Sequence, residues 1–229
     1  MREIKQLRKD RKAAPPSLPL NRSKARQIME TSYLAAASAL IWVALYYLPI
    51  GGAVFRLALP LPLALLQIRG HSRSGLEGVV IAVLVLISLM GPVRGPLILF
   101  PYGLLALWLG WSWQNRFSWW LSWGVGVFLG TTGFLVRVFV LSLLVGENLW
   151  VVITRAGSLF LDRFLDVLNL PFSPGLLEVQ LMALSLVIVQ ELIYVFVLHA
   201  IAFWIFPRLD APIPDPPRLL HGLVALDPL

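Results

Sequence analysis

Cysteine is absent from the 229-residue chain. That excludes disulfides, thiolate metal sites, a cysteine nucleophile and palmitoylation. Histidine is scarce: His71, His199 and His221 stand far apart with no carboxylate cluster between them, so no metal site is expected. There is no HExxH, GxSxG, CxxC or Walker A glycine loop, so no ATP hydrolysis, cofactor or catalytic residue is expected. An enzyme remains open only as a site built from scattered intramembrane residues. Charge is thin as well, at 14% of residues, with 12 acidic against 19 basic side chains and a net charge of +7. In a soluble protein that balance would suggest nucleic acid. Here the basic residues crowd the N-terminus, where they act as a topology signal and attract anionic lipid, so nucleic acid is not an expected partner.

Apolar sequence fills the rest. The hydrophobic fraction is 58%, with nine Trp and twelve Phe, and mean hydropathy is +0.79. Those values predict a polytopic membrane protein with interfacial aromatic belts. Residues 1–31 read as a basic cytoplasmic arm, which orients the first span and leaves contact with anionic lipid or a partner open. An all-α bundle of six spans occupies 32–206: Ser32–Leu48, Ala53–Ile68 interrupted by Pro60 and Pro62, Leu76–Met90, Leu97–Trp113, Ser118–Val145 and Leu176–Phe206. The loop arginines place both termini in the cytoplasm, in a bacterial-type inner membrane or another internal membrane. Residues 207–229 read as a loosely ordered Pro-rich tail. Between the last two spans, 150–170 carries Arg155, Asp162 and Asp166 at spacings of seven and four, away from Ile153, Phe160, Phe164 and Val167. This predicts an amphipathic helix on the outer surface. The alternative is a seventh span, which would put the C-terminus outside.

Ser118–Val145 is the longest apolar run; at 1.5 Å per residue it reaches ~40 Å, beyond the ~30 Å hydrocarbon core. Gly126, Gly130, Gly133 and Arg137 follow at spacings of four, three and four, which places them on one helical face. The GxxxG pair Gly126 and Gly130 permits close approach of another helix, and Arg137 on the same stripe points into the protein. Arg137 lies ~13 Å below the outer end of its helix. Glu147 and Asn148 at that end, with Glu178 and Gln180 at the start of the next span, are expected to line an outward pocket with it. The competing reading is that Arg137 snorkels and the carboxylates sit among headgroups. Glu191, deeper in the last span, either pairs with Arg137 through tilt or water or is a hydrogen-bonded structural acid. Arg56 and Arg94 read as interfacial anchors. On the first span, Ala35 and Ala39 form an AxxxA surface that suits close helix association, within the bundle or with a partner.

An alanine-rich first helix, a Pro/Gly-bounded outer loop at Pro49–Ala53 and a Pro-broken second helix accompany six spans with both ends inside. This layout resembles the substrate-binding S-component of energy-coupling factor transporters, and the chain is similar to the YybS-like family of predicted membrane proteins. The resemblance covers about Ser32–Phe206. It implies that Ala35 and Ala39 dock on a transmembrane coupling subunit, that separate ATPases supply energy, and that a small-molecule solute binds among Arg137, Glu147, Asn148, Glu178, Gln180 and Glu191. The alternative is a non-transporting scaffold or assembly factor that binds other membrane subunits. Lipid is a partner in either case.

Overall fold

The computed structural model describes residues 22–70, 72–167 and 175–217. The first part of the basic arm, His71, the connection at 168–174, and the end of the tail with His221 lie outside the described residues. So do the side chains of Phe160, Asp162, Phe164, Asp166 and Val167, and with them most of the charged stripe expected over 150–170.

Among the described residues all the regular secondary structure is helical. α1 spans Arg22–Tyr47, α2 Gly52–Ala58, α3 Leu61–Arg69 and α4 Ser72–Met90. A 3₁₀ turn (Pro96–Ile98) and a π turn (Leu99–Gly103) lead into α5, Leu104–Gln114. α6 spans Trp119–Val145, α7 Leu149–Val167 and α8 Leu176–Ile205, followed by a 3₁₀ turn at Phe206–Leu209. Six stretches are long and apolar enough to cross a membrane: Lys24–Tyr47, Gly52–Arg69, Arg73–Met90, Pro96–Gln114, Trp119–Val145 and Leu176–Leu209. The protein is a multi-pass integral membrane protein. We call the end carrying Arg22, Gln114 and Leu209 the near end, and the end carrying Tyr47, Met90 and Val145 the far end.

Local chemistry sets the boundaries. Ser118 has extended backbone (φ −61°, ψ 144°) and accepts a hydrogen bond from the Leu121 N–H at 3.4 Å, an N-cap that starts α6. Gly146 ends α6 in the left-handed conformation at φ 79°, where a side chain would be strained. Glu178 accepts from the backbone N–H of Gly175 and so closes the first turn of α8.

The second span breaks where proline predicts, between α2 and α3 at Leu59–Pro60. Ser38 of α1 donates to the Leu59 carbonyl at 3.2 Å, which supplies a partner at the interruption. The fourth span, read from the sequence as Leu97–Trp113, carries a break of its own. Pro101 lacks an N–H, and Phe100 before it has strand-like backbone (φ −112°, ψ 120°), so this span is broken too. α1 also begins earlier than Ser32, and is already helical at Arg22.

α1 packs on α4 and α3, α3 on α5, and α6 on α8 and the π turn, with α7 touching α6 and α8. The α6 glycines account for that closeness. A Cβ at Gly126 would come within 2.9 Å of Val195, and one at Gly133 within 2.7 Å of the Pro101 backbone. One at Gly130 would collide with the Glu191 carboxylate. The core forms two clusters. The near-end cluster includes Leu63, Trp113, Trp119, Leu198 and Phe206; the far-end cluster includes Ala39, Trp42, Leu59, Leu86 and Tyr102. The tail is not loose over its described part. Ala211 and Ile213 are buried in the near-end cluster, and Trp119 donates its indole N–H to the Pro214 carbonyl at 2.7 Å.

Candidate functional site

The far end of the bundle gathers arginines on aromatic rings. Arg137, half-buried on α6, donates from Nη2 to the Tyr46 hydroxyl at 3.2 Å and lies 5.3 Å from the centroid of Trp42. Arg94, between α4 and the 3₁₀ turn, sits 5.9 Å from the Tyr46 ring centroid. Both are within cation–π range, where an exposed contact is worth ~0.5–1 kcal/mol. The rings continue edge-on: Trp42 meets Tyr46 at 5.2 Å and Tyr102 at 5.7 Å, and Tyr102 meets Tyr194 at 6.4 Å. Tyr194 donates its hydroxyl to the Arg56 carbonyl at 2.9 Å, which brings α2 into the cluster. Arg56 and Arg137 both lie within electrostatic range of Tyr102.

Both chain breaks build this arrangement. The break at Leu59–Pro60 lets α2 present Arg56, and the break at Phe100–Pro101 sets Tyr102 against Trp42. Buried Trp42 and Tyr102 form the floor, while Arg56 and Arg94 stand exposed at the rim. The ion pairs among the described residues are Arg26–Glu30 and Arg73–Glu77, both near the other end and both exposed (i,i+4) pairs. None of Arg56, Arg94 and Arg137 is paired with a carboxylate among them. The buried Trp42 Nε1, which can only donate, also has no acceptor. The floor and rim are thus rich in positive charge and N–H donors, a composition that suits carboxylate or phosphate oxygens.

The expected ligand-binding residues separate into four places. Arg137 belongs to this aromatic cluster. Glu147 and Asn148 line a cleft of about 630 Å³ between α6 and the start of α7, together with Leu135, Val138, Phe139, Ser142, Leu143, Gly146 and Trp150. The α6 members recur every three or four residues and so form one face, and Arg137 is not on it. Glu178 caps α8, and Gln180 is half-buried nearby; neither lines the cleft. Glu191 is 5% exposed, packed against Gly130, with Oε2 lacking a partner and no salt bridge to Arg137. Ala35 and Ala39 are covered by the chain's own helices, and Gly126 and Gly130 face α8.

Arg56 and Arg94 were expected to be separate interfacial anchors, yet both reach the cluster that holds Arg137. The aromatic residues Trp42, Tyr46, Tyr102 and Tyr194 were not singled out as site residues. Their sequence signal is slight, because aromatics near span ends are ordinary belt residues.

A family model described as predicted membrane protein (DUF2232) matches residues 35–168. That region covers α1 from Ala35 through α7 and contains every residue of the arginine cluster except Tyr194. No curated protein and no solved structure matches the chain.

Proposed function

The chain belongs to the DUF2232 family of predicted membrane proteins, and from that premise we propose that it is a membrane-embedded subunit binding a small anionic solute at the far end of the bundle. The observation that carries this reading is Arg137: a guanidinium within a span, seated on Trp42 and Tyr46, with no carboxylate paired to it among the described residues. An intramembrane charge is costly and persists where a counter-charge or ligand compensates it. Arg94 and Arg56 at the rim would draw an anion in, and Arg137 would engage it with its planar fork.

In this proposal the subunit resembles an energy-coupling factor S-component, with coupling and ATPase subunits separate. The missing Walker A loop supports borrowed energy. Docking on the coupling subunit would use side chains other than Ala35 and Ala39, which are buried. On α1 the open positions include Ile28, Tyr33 and Leu40.

The test is equilibrium binding of inorganic phosphate and a panel of small mono- and dicarboxylates to the purified protein in vesicles. Arg137→Ala should reduce affinity about tenfold or more, the scale of one lost charge-assisted hydrogen bond, and leave insertion intact. Arg137→Lys should recover part of it, since charge is retained and the fork is lost. Equal affinity for wild type and Arg137→Ala removes Arg137 from the site. Recovery of a membrane complex without ATPase subunits, with no anion bound, would favour a scaffold instead.

A further inference from the structure

The cleft between α6 and α7 lies apart from the arginine cluster and divides along its length. Its lining on α6 runs from Leu135 to Gly146, which at 1.5 Å per residue is ~16 Å, or about one leaflet of a ~30 Å hydrocarbon core. Leu135, Val138, Phe139 and Leu143 make the long part apolar. Phe139 and Leu143 are exposed, at 63% and 68%. The polar groups collect at the far-end mouth, and most are already engaged. Ser142 donates to the Val138 carbonyl at 2.8 Å and accepts from the Leu149 N–H at 2.9 Å. Asn148 Oδ1 accepts from the Val151 N–H at 3.3 Å, at the start of α7. Glu147 is different. It is exposed, and no ion pair among the described residues engages its carboxylate.

We infer that this cleft seats one membrane lipid whose headgroup carries a primary ammonium, with an acyl chain along Leu135–Leu143 and the ammonium on Glu147. Three features select that occupant. The volume of about 630 Å³ falls within the ~300–1,000 Å³ range of small-molecule sites. The groove stops at Leu135, one leaflet deep, so a partner helix crossing both leaflets would lack half its seat. Glu147 is the one charged side chain among the lining residues, an anion at headgroup level beside Trp150, and its complement is a cation able to donate hydrogen bonds. A choline headgroup has the charge but no N–H. A glycerol headgroup adds a phosphate charge without a cation to balance it.

The test is lipid retention by native mass spectrometry, after extraction from vesicles with equal parts phosphatidylethanolamine, phosphatidylcholine and phosphatidylglycerol. Wild-type protein should retain the ethanolamine lipid in several-fold excess over the other two. Glu147→Gln, an exposed change that leaves packing alone, should bring the three headgroups to parity with chain occupancy preserved. Leu143→Trp, also at an exposed position, should fill the groove and reduce retention of all three. Equal retention of the three lipids by wild type overturns the inference. So does an undiminished ethanolamine preference in Glu147→Gln, or full retention in Leu143→Trp. Solute binding at Arg137 need not change in any variant, so this result stands apart from that reading.

Discussion

At the near end of the bundle, a buried histidine has every polar atom engaged. His199 Nδ1 contacts the Val195 carbonyl at 2.8 Å, and Nε2 contacts Ser122 Oγ at 3.0 Å. Ser122 in turn meets Ser112 Oγ at 2.7 Å. The indoles of Trp108 and Trp123 donate to the Ser122 and Leu192 carbonyls at 3.1 and 3.0 Å. Orphans persist there as well, at Trp113 Nε1 and Gln67 Oε1, but both belong to neutral side chains. At the far end the unmatched groups include a charge within a span, Arg137 with no carboxylate partner among the described residues, beside the neutral Trp42 Nε1 and the exposed Arg56 and Arg94; in mid-span the Glu191 carboxylate has one oxygen bare. A satisfied polar network rigidifies packing, whereas an uncompensated charge needs something from outside the chain. The same six spans thus carry an end that holds the bundle together and an end that is incomplete.

Substitution can break that contrast at the joint between its halves. Gly130→Ala pushes a methyl group into the Glu191 carboxylate, so thermal unfolding in detergent should show a loss of about 1–3 kcal/mol, the usual cost of overpacking. The double variant Gly130→Ala with Glu191→Ala should recover most of it; no recovery would mean that the carboxylate does not occupy that notch. Next in size, His199→Leu should cost about 0.5–1.5 kcal/mol by removing the ring's hydrogen bond to Ser122 Oγ, which keeps Ser112 as a partner. It should leave anion affinity untouched, and a parallel fall in affinity would erase the distinction between the two ends. The smallest effect is expected at the rim, where Arg94 is exposed. Arg94→Gln should lower anion affinity only a few-fold, ~0.2–1 kcal/mol for a screened surface charge. The loss should shrink as salt rises, with no change in unfolding temperature.

Much of this architecture was legible because bilayer thickness constrains sequence so strongly. Long apolar runs marked the spans, Pro60 and Pro62 marked the interruption of the second, and the GxxxG of α6 marked a close helix contact that α8 fills. The break in the fourth span was harder to see, because a lone proline in an apolar run is often accommodated as a kink. The described part of the tail misled for a related reason. Proline-rich sequence suggests a loose segment, yet Ala211 and Ile213 found apolar surface left open by Trp113 and Phe206.

The sequence by itself determined that this is a multi-pass all-helical membrane protein, and that α6 carries glycines and an arginine on one face. Periodicity and hydropathy are local properties, and they can be read one segment at a time. The grouping of polar residues was decided only in tertiary structure. Arg137 went to Trp42 and Tyr46 of α1 rather than to Glu147, ten residues on and just past the end of its own helix, because the facing element and not the sequence interval sets what a side chain meets. The two broken spans then brought Arg56 and Tyr102 to the same end, an encounter between segments far apart in the chain that no local pattern records.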